Sequence, residues 1–483
     1  MSPEAAILAA LGLPLAGALG IAAAHRSPNL REAVTLATAL ALAGAVLNLL
    51  EPVLAGERPA VALFEMLPGI AFGFRVEPLG MLFAAIASVL WIVNSLYSIG
   101  YMRANREPEQ TRFYVCFALA LASTMGIAFS SNLLTLFIFY EVLTLVTYPL
   151  VTHHRDEEAR RGGRIYLAYL LGSSMALLLV AVIITWLVAG TIEFGPGGIL
   201  GDRVSGFEAV LLVALYVFGI GKAAVMPMHR WLPAAMVAPT PVSALLHAVA
   251  VVKAGVFAVV KVIVYVFGVD PLAAAGHADW VPAVAGFTVI AASIVALRSD
   301  NLKRRLAYST VSQLSYVVAA AAVLAPLSVA GAVLHIAAHA FGKITLFFAA
   351  GAIYTAAHKT EVSQLDGIGR RMPWTMAAFT VGALSLIGVP PFVGFVSKWF
   401  MLQGVFAAGQ WTVAAVLLAS TLLNAAYFLP IVYAAFFRAP AGHDHGEAPL
   451  PMVAALTATA AGTVALFFLP ALPLALARSV AGL

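Results

Sequence analysis

The sequence predicts an all-α, polytopic membrane protein, on three observations. The 483 residues are 62% hydrophobic and only 10% charged, with a mean hydropathy of +0.97; a soluble chain carries about a quarter charged residues. Apolar stretches of about 20 residues recur from end to end, each long enough to cross a bilayer as a helix. The basic residues alternate in density from one connecting loop to the next, as topology demands of a chain that crosses repeatedly.

Fourteen spans are expected, at 3–24, 31–50, 77–100, 112–130, 132–152, 164–190, 208–228, 236–267, 279–297, 304–325, 327–357, 372–400, 410–437 and 450–477. They leave no room for a soluble domain, so residues 1–483 read as a single transmembrane domain. The first stretch lacks a basic leading region and a small-residue cleavage site, and reads as a retained helix. Eighteen of the 27 Lys and Arg residues fall on loops joining an odd span to the next even one. The opposite loops carry Arg58, Arg75 and Arg203, with Arg478 on the C-terminal tail. The positive-inside rule then places both termini on the outer side of a bacterial plasma membrane. The net charge of +5 is therefore a topological signal, and no nucleic-acid partner is implied. The single Cys116 cannot form an internal disulfide.

The five remaining lysines and Glu141 lie within spans, and a charge at mid-membrane costs at least ~2.5–3.5 kcal/mol. Glu141 stands in the middle of the fifth span, in TLFIFYEVLTLVTYPLV (135–151). Lys222 of the seventh span precedes Pro227, which removes a helical N–H and should break the helix there. Lys398 of the twelfth follows Gly388, Pro390, Pro391 and Gly394, which make a continuous helix implausible. Broken backbone at membrane depth is tolerated where it packs in protein or lines a wet cavity. Two lysines beside two breaks suggest two five-span repeats, 112–267 and 279–437. An odd number of spans per repeat inverts the second copy.

In the eleventh span His335, His339 and Lys343 recur every four residues and stack along one face. Imidazole titrates near physiological pH, so a hydrated titratable row is the reading preferred over a packed polar seam. His247 and Lys253 are buried in the apolar eighth span, whereas Lys261 near its outer end is expected to snorkel. A packing role competes at each position; Glu141 could simply lock two helices by pairing with a lysine. The His-x-x-x-His spacing lacks a neighbouring carboxylate or cysteine, so no metal is expected. No nucleotide loop, cysteine cluster or nucleophile elbow appears, so neither cofactor nor covalent chemistry is expected on this chain. His443 and His445 sit in a charged stretch expected to be solvated.

Taken in order, EPLGMLF (77–83), YSIGYM (97–102), FYEVLTL (139–145), HRWLPAAMVAPTPVSALLHAVAVVKAG (229–255), NLKRRLAYSTVSQLSY (301–316), HIAAHAFGKITLFFAAG (335–351) and GVPPFVGFVSKWF (388–400) resemble a known family. It is that of the antiporter-like subunits of Mrp-type cation/proton antiporters and of respiratory complex I. The resemblance covers roughly residues 75–435. It implies a central polar axis carried by Glu141, Lys222, His247, His335, His339, Lys343 and Lys398, with Lys253 matching a lysine frequent in the antiporter branch. Glu77 stands where the family often has Asp, and Ala234 where it has an acid. The chain stops after the fourteenth span, which leaves a D-type antiporter subunit or a shorter complex I-type subunit; Lys253 favours the first.

The resemblance implies a subunit that moves protons, exchanging them for Na⁺ or K⁺, beside other membrane subunits in a lipid bilayer. The alternative is the proton-pumping subunit of a complex I-like, membrane hydrogenase or inorganic-carbon-uptake complex. An inert membrane anchor and a stand-alone solute transporter are the competing classes. Glu141 is expected to pair with Lys222 at ~6 Å, an attraction of roughly 2.8 kcal/mol at an effective dielectric of ~20.

Overall fold

The computed structural model describes residues 1–440 and 445–483; His443 lies outside the described residues. Every expected span is helical over most of its length. Starts follow local chemistry. Asn132, Asp156 and Asn301 each accept a hydrogen bond from the backbone N–H three residues on, at 2.8, 2.7 and 3.0 Å, satisfying one of the donors a helix start leaves free. Proline, whose missing N–H costs nothing there, opens the helices Pro3–Ala23, Pro28–Leu47, Pro78–Ala104, Pro326–Ala357 and Pro373–Ile387.

The count of fourteen is not reached by length and hydropathy. Among the described residues eleven helices are long and apolar enough to cross a membrane. The seventh and twelfth spans are divided into shorter pieces, and Leu302–Ala322 is long enough but interrupted by Ser, Thr, Gln and Tyr. Among the described residues the all-α expectation has one exception, an antiparallel hairpin of Ala60–Leu67 with Ile70–Arg75 between the second and third spans.

Loops sort to two ends, as alternating spans require. At one end Arg31 donates to Gln110 at 2.7 Å, Arg103 to Glu32 at 2.9 Å and Ser363 to Asp300 at 2.7 Å. At the other, Arg75 donates to the Phe194 carbonyl at 2.9 Å and Asn132 to Glu193 at 2.9 Å. The first end gathers the basic loops.

The break in the seventh span starts earlier than Pro227 suggested. Helix Gly206–Gly219 stops, one tight turn spans Gly221–Ala223, and Ala224 is left-handed at φ +56°. Lys222 thus lies within the break rather than on a helix. The break packs against the eighth span at Gly255, where a Cβ would come within 2.3 Å of the Ala223 nitrogen. In the twelfth span Pro373–Ile387 ends at Gly388 (φ +93°) and Val393–Ala407 resumes, with Gly394 pressed on the first half. The eighth span runs Thr240–Phe267, wholly buried, and widens into a π turn at Leu245–Val249 around His247. Such widened turns frequently mark functional sites.

Candidate functional site

All eight expected residues are buried. The ammonium of Lys222 donates to the Tyr140 carbonyl at 2.7 Å and the Thr144 hydroxyl at 2.6 Å, on the fifth-span helix Leu133–Val151. Its backbone N–H donates to the Tyr140 hydroxyl at 3.0 Å. Glu141 lies between these contacts in sequence, yet neither of its oxygens has a hydrogen-bond partner among the described residues. The expected pair is therefore a neighbourhood and not a direct ion pair. The lysine is fastened to the helix that carries the acid, and the acid is left within reach of the Lys222 charge and the Ser174 side chain.

From the eighth span to the twelfth the titratable groups lie closer together, one pair in direct contact and the rest bonded to neutral polar side chains or backbone. Lys253 Nζ meets His339 Nδ1 at 2.5 Å, joining the eighth span to the eleventh. One turn away His335 meets Gln313 at 2.9 Å through Nε2 and Ser397 at 2.9 Å through Nδ1. Ser397 precedes Lys398, whose ammonium donates to the carbonyls of Leu386 (2.7 Å) and Ile387 (3.1 Å). Those carbonyls are among the ones the break at Gly388 leaves without helical partners, so the lysine caps the first half-helix from the second. Lys343, one turn from His339 in the other direction, donates to Ser309 at 2.9 Å; Tyr427 also donates to Ser309 at 2.9 Å and contacts Asn424. His247 meets Thr310 at 3.0 Å and leaves Nε2 without a partner among the described residues.

Sequence reasoning missed Thr144, Ser309, Thr310, Gln313, Ser397, Asn424 and Tyr427, since a hydroxyl or amide in an apolar helix stands out less than a charge. Their signal is a shared face: Ser309, Gln313 and Tyr316 fall at helical spacing on Leu302–Ala322. Lys261 does not snorkel. It is fully buried, forms an ion pair with Glu77 at 3.3 Å and donates to the Ser130 carbonyl at 2.8 Å. Among the described residues no group of three His, Cys, Asp or Glu is placed to hold a metal.

Fold and site together define a multi-pass membrane subunit with a buried row of titratable groups. Residues 130–424, which include all eight, match the family described as NADH:quinone oxidoreductase/Mrp antiporter, transmembrane. The chain is 32% identical over 423 residues to NADH-quinone oxidoreductase subunit N of Desulforudis audaxviator, covering 86% of this chain and 83% of that one. It is 30% identical to subunit L of Mycobacterium tuberculosis, covering 94% of this chain and 73% of the relative. The A/B subunit of a probable K(+)/H(+) antiporter from Rhizobium meliloti is 32% identical across 68% of this chain and 32% of its own length. In the solved Mrp complex from Dietzia sp. DQ12-45-1b, one chain superposes with a TM-score of 0.89 over 100% of this chain and 97% of that one. Its 22% identity speaks for the fold. The chain belongs to the NADH:quinone oxidoreductase/Mrp antiporter family of membrane subunits.

Proposed function

We propose that this chain is the D-type subunit of an Mrp-type antiporter, exchanging Na⁺ or K⁺ for protons that pass along Glu141, Lys222, His247, Lys253, His339, Lys343, His335 and Lys398. The observation that carries the reading is the Lys253–His339 contact, where the eighth and eleventh spans meet through two groups that can each hold the same proton. An ammonium and an imidazole at hydrogen-bond distance form a donor–acceptor pair whose proton can cross without either group moving far. His335, Ser397 and Lys398 extend it to the twelfth-span break, where backbone carbonyls can bind water.

Glu141 acts on Lys222 through its field. With no direct ion-pair contact to hold the two together, its negative charge favours the protonated lysine across space, and withdrawing or neutralising it favours release. The five-span repeats 112–267 and 279–437 are supported by the equivalent place of the two breaks, each in the fourth span of its repeat with a lysine beside it. The basic loops gathered at one end support a cytoplasmic position for that end, with both termini outside. The work is transport, without covalent chemistry, and other membrane subunits complete the complex.

A second reading, the proton-pumping subunit of a complex I-like assembly, is favoured by the two relatives named as NADH-quinone oxidoreductase subunits. One experiment serves both. In the assembled complex Glu141→Gln keeps shape and removes charge, and should stop proton flux. Lys398→Arg should do nearly the same, because arginine hardly releases a proton. Cation-dependent flux in the native complex selects the antiporter, and substrate-oxidation-dependent flux selects the pump. An assembled Glu141→Gln complex that transports normally would overturn the axis.

A further inference from the structure

At the end where the basic loops gather, a second titratable cluster stands apart from the axis. Glu107, on the loop after Pro78–Ala104, points its carboxylate at two histidines that follow the fifth-span helix directly. Its Oε2 lies 3.1 Å from His154 Nε2 and 3.6 Å from His153 Nε2. The Glu107 and His153 side chains are 9% and 0% exposed, and His154 is 37% exposed. Neither ring nitrogen of His153 has a hydrogen-bond partner among the described residues. Its ring is held edge-on against Phe113, and its backbone carbonyl accepts from Arg112 at 2.9 Å. One imidazole is thus wetted, one is dry, and a single carboxylate touches both.

The cluster borders a cavity of about 370 Å³ lined by Glu107, His154, Glu158, Thr240, Lys303 and Tyr354, among others. Thr240 opens the eighth-span helix, seven residues before His247, or about 10 Å along the axis. The cavity therefore runs from Glu107 and His154 to the start of the helix that carries His247, with His153 packed behind Glu107.

We propose that Glu107, His153 and His154 form a proton-loading cluster that takes protons from the bulk and passes them through this cavity to His247; this rests on the translocation reading above. His154 Nε2 binds a proton from water, shares it with the Glu107 carboxylate, and returns it to cavity water. Only N–H and O–H bonds form and break, and charge is conserved at each transfer. The other charges facing the cluster set the balance. Asp156 favours the protonated histidine, whereas Arg112 and Lys303 oppose it; Arg155 is drawn to Glu109 at 3.8 Å, and Glu158 and Lys359 line the cavity wall. The hydrogen bond to Glu107 holds His154 above the ordinary imidazole range, while burial pushes His153 down to about 4. Of the two, His154 is therefore the imidazole that keeps a proton to higher pH, and His153 stays neutral beside it.

The test uses the assembled complex in everted vesicles, with proton flux followed from about pH 6 to about pH 9, the range over which a perturbed imidazole titrates. Glu107→Gln, which keeps the imidazole, should move the alkaline half-point of flux down by about one pH unit, the size of shift a neighbouring carboxylate produces. His154→Gln, which removes the loading imidazole, should cost flux most at the alkaline end, where protons are scarce. Glu107→Asp, which retains the charge, should recover much of the native profile and remains readable if a neutral variant fails to assemble. A profile superimposable on the native one, or a uniform loss at every pH, overturns the proposal. Glu141→Gln separates the two readings. If it is inactive while the Glu107 and His154 profiles stay native, loading alone is refuted; if it is active, translocation along the axis has failed first.

Discussion

Lys261→Met tests whether the buried pair near the far end of the eighth span is a fixed strut. Its ammonium sits 3.3 Å from Glu77 Oε2, donates to the Ser130 carbonyl and lies 4.3 Å above the Phe194 ring. Both side chains are essentially out of solvent, at 0% and 6% exposure. At an effective dielectric of ~20 the attraction is about 5 kcal/mol. Removing one partner of a buried pair typically costs about 3–5 kcal/mol, because the survivor is left charged and unpaired. A cavity of about 310 Å³ reaches Glu77 and can admit water to the orphaned carboxylate, so the lower end applies, about 3 kcal/mol. Lys261→Met with Glu77→Leu leaves no charge behind, and should recover most of that loss and retain transport. The measurement is a double-mutant cycle on the purified chain in mixed micelles, unfolded with SDS and followed by tryptophan fluorescence. A single variant within about 0.5 kcal/mol of the native chain, the size of an ordinary neutral substitution, would refute the strut. So would a double variant as unstable as the two single losses added.

Gly394→Ala should separate the halves of the twelfth span, since a Cβ there would lie 1.7 Å from the Ser385 carbonyl oxygen and backbone must shift. A loss of about 1–3 kcal/mol or more and poor co-purification with partner subunits are expected; a stable, fully assembled variant would contradict the packing. The Glu107–His154 contact should protect residues 105–112 from hydrogen exchange in acidic and neutral buffer. Because the folded state holds His154 above its ordinary value, that stability is fully present below the ordinary imidazole range and is lost as pH rises through the raised value. His153 works in the opposite sense: its folded value near 4 lies below the ordinary one, so its contribution is lost as pH falls from about 6.5 toward 4. Exchange across 105–112 should be slowest near neutrality, and a pH-independent rate after correction for intrinsic exchange would refute the contact.

Sequence alone determined the class of this protein and the identity of its charged row. Twenty-residue apolar stretches can satisfy their backbone in lipid only as helices, so composition settled the architecture without any knowledge of contacts. A lysine or glutamate in such a stretch is conspicuous because of its cost, which is why Glu141, Lys222, Lys253, Lys343 and Lys398 were legible one at a time. What no local pattern could supply is which of them touch. Lys253 and His339 are 86 positions apart, and their contact exists because the eighth and eleventh spans pack side by side. Lys222 was legible as the charge facing Glu141; what was not legible is that the break would fasten its ammonium to the Tyr140 carbonyl and the Thr144 hydroxyl, one residue before and three after the acid. Lys261 looked like an interfacial residue because sequence gives depth along one helix. Only the tertiary fold brought Glu77 from the start of the third span to within 3.3 Å of it and made burial of the charge tolerable.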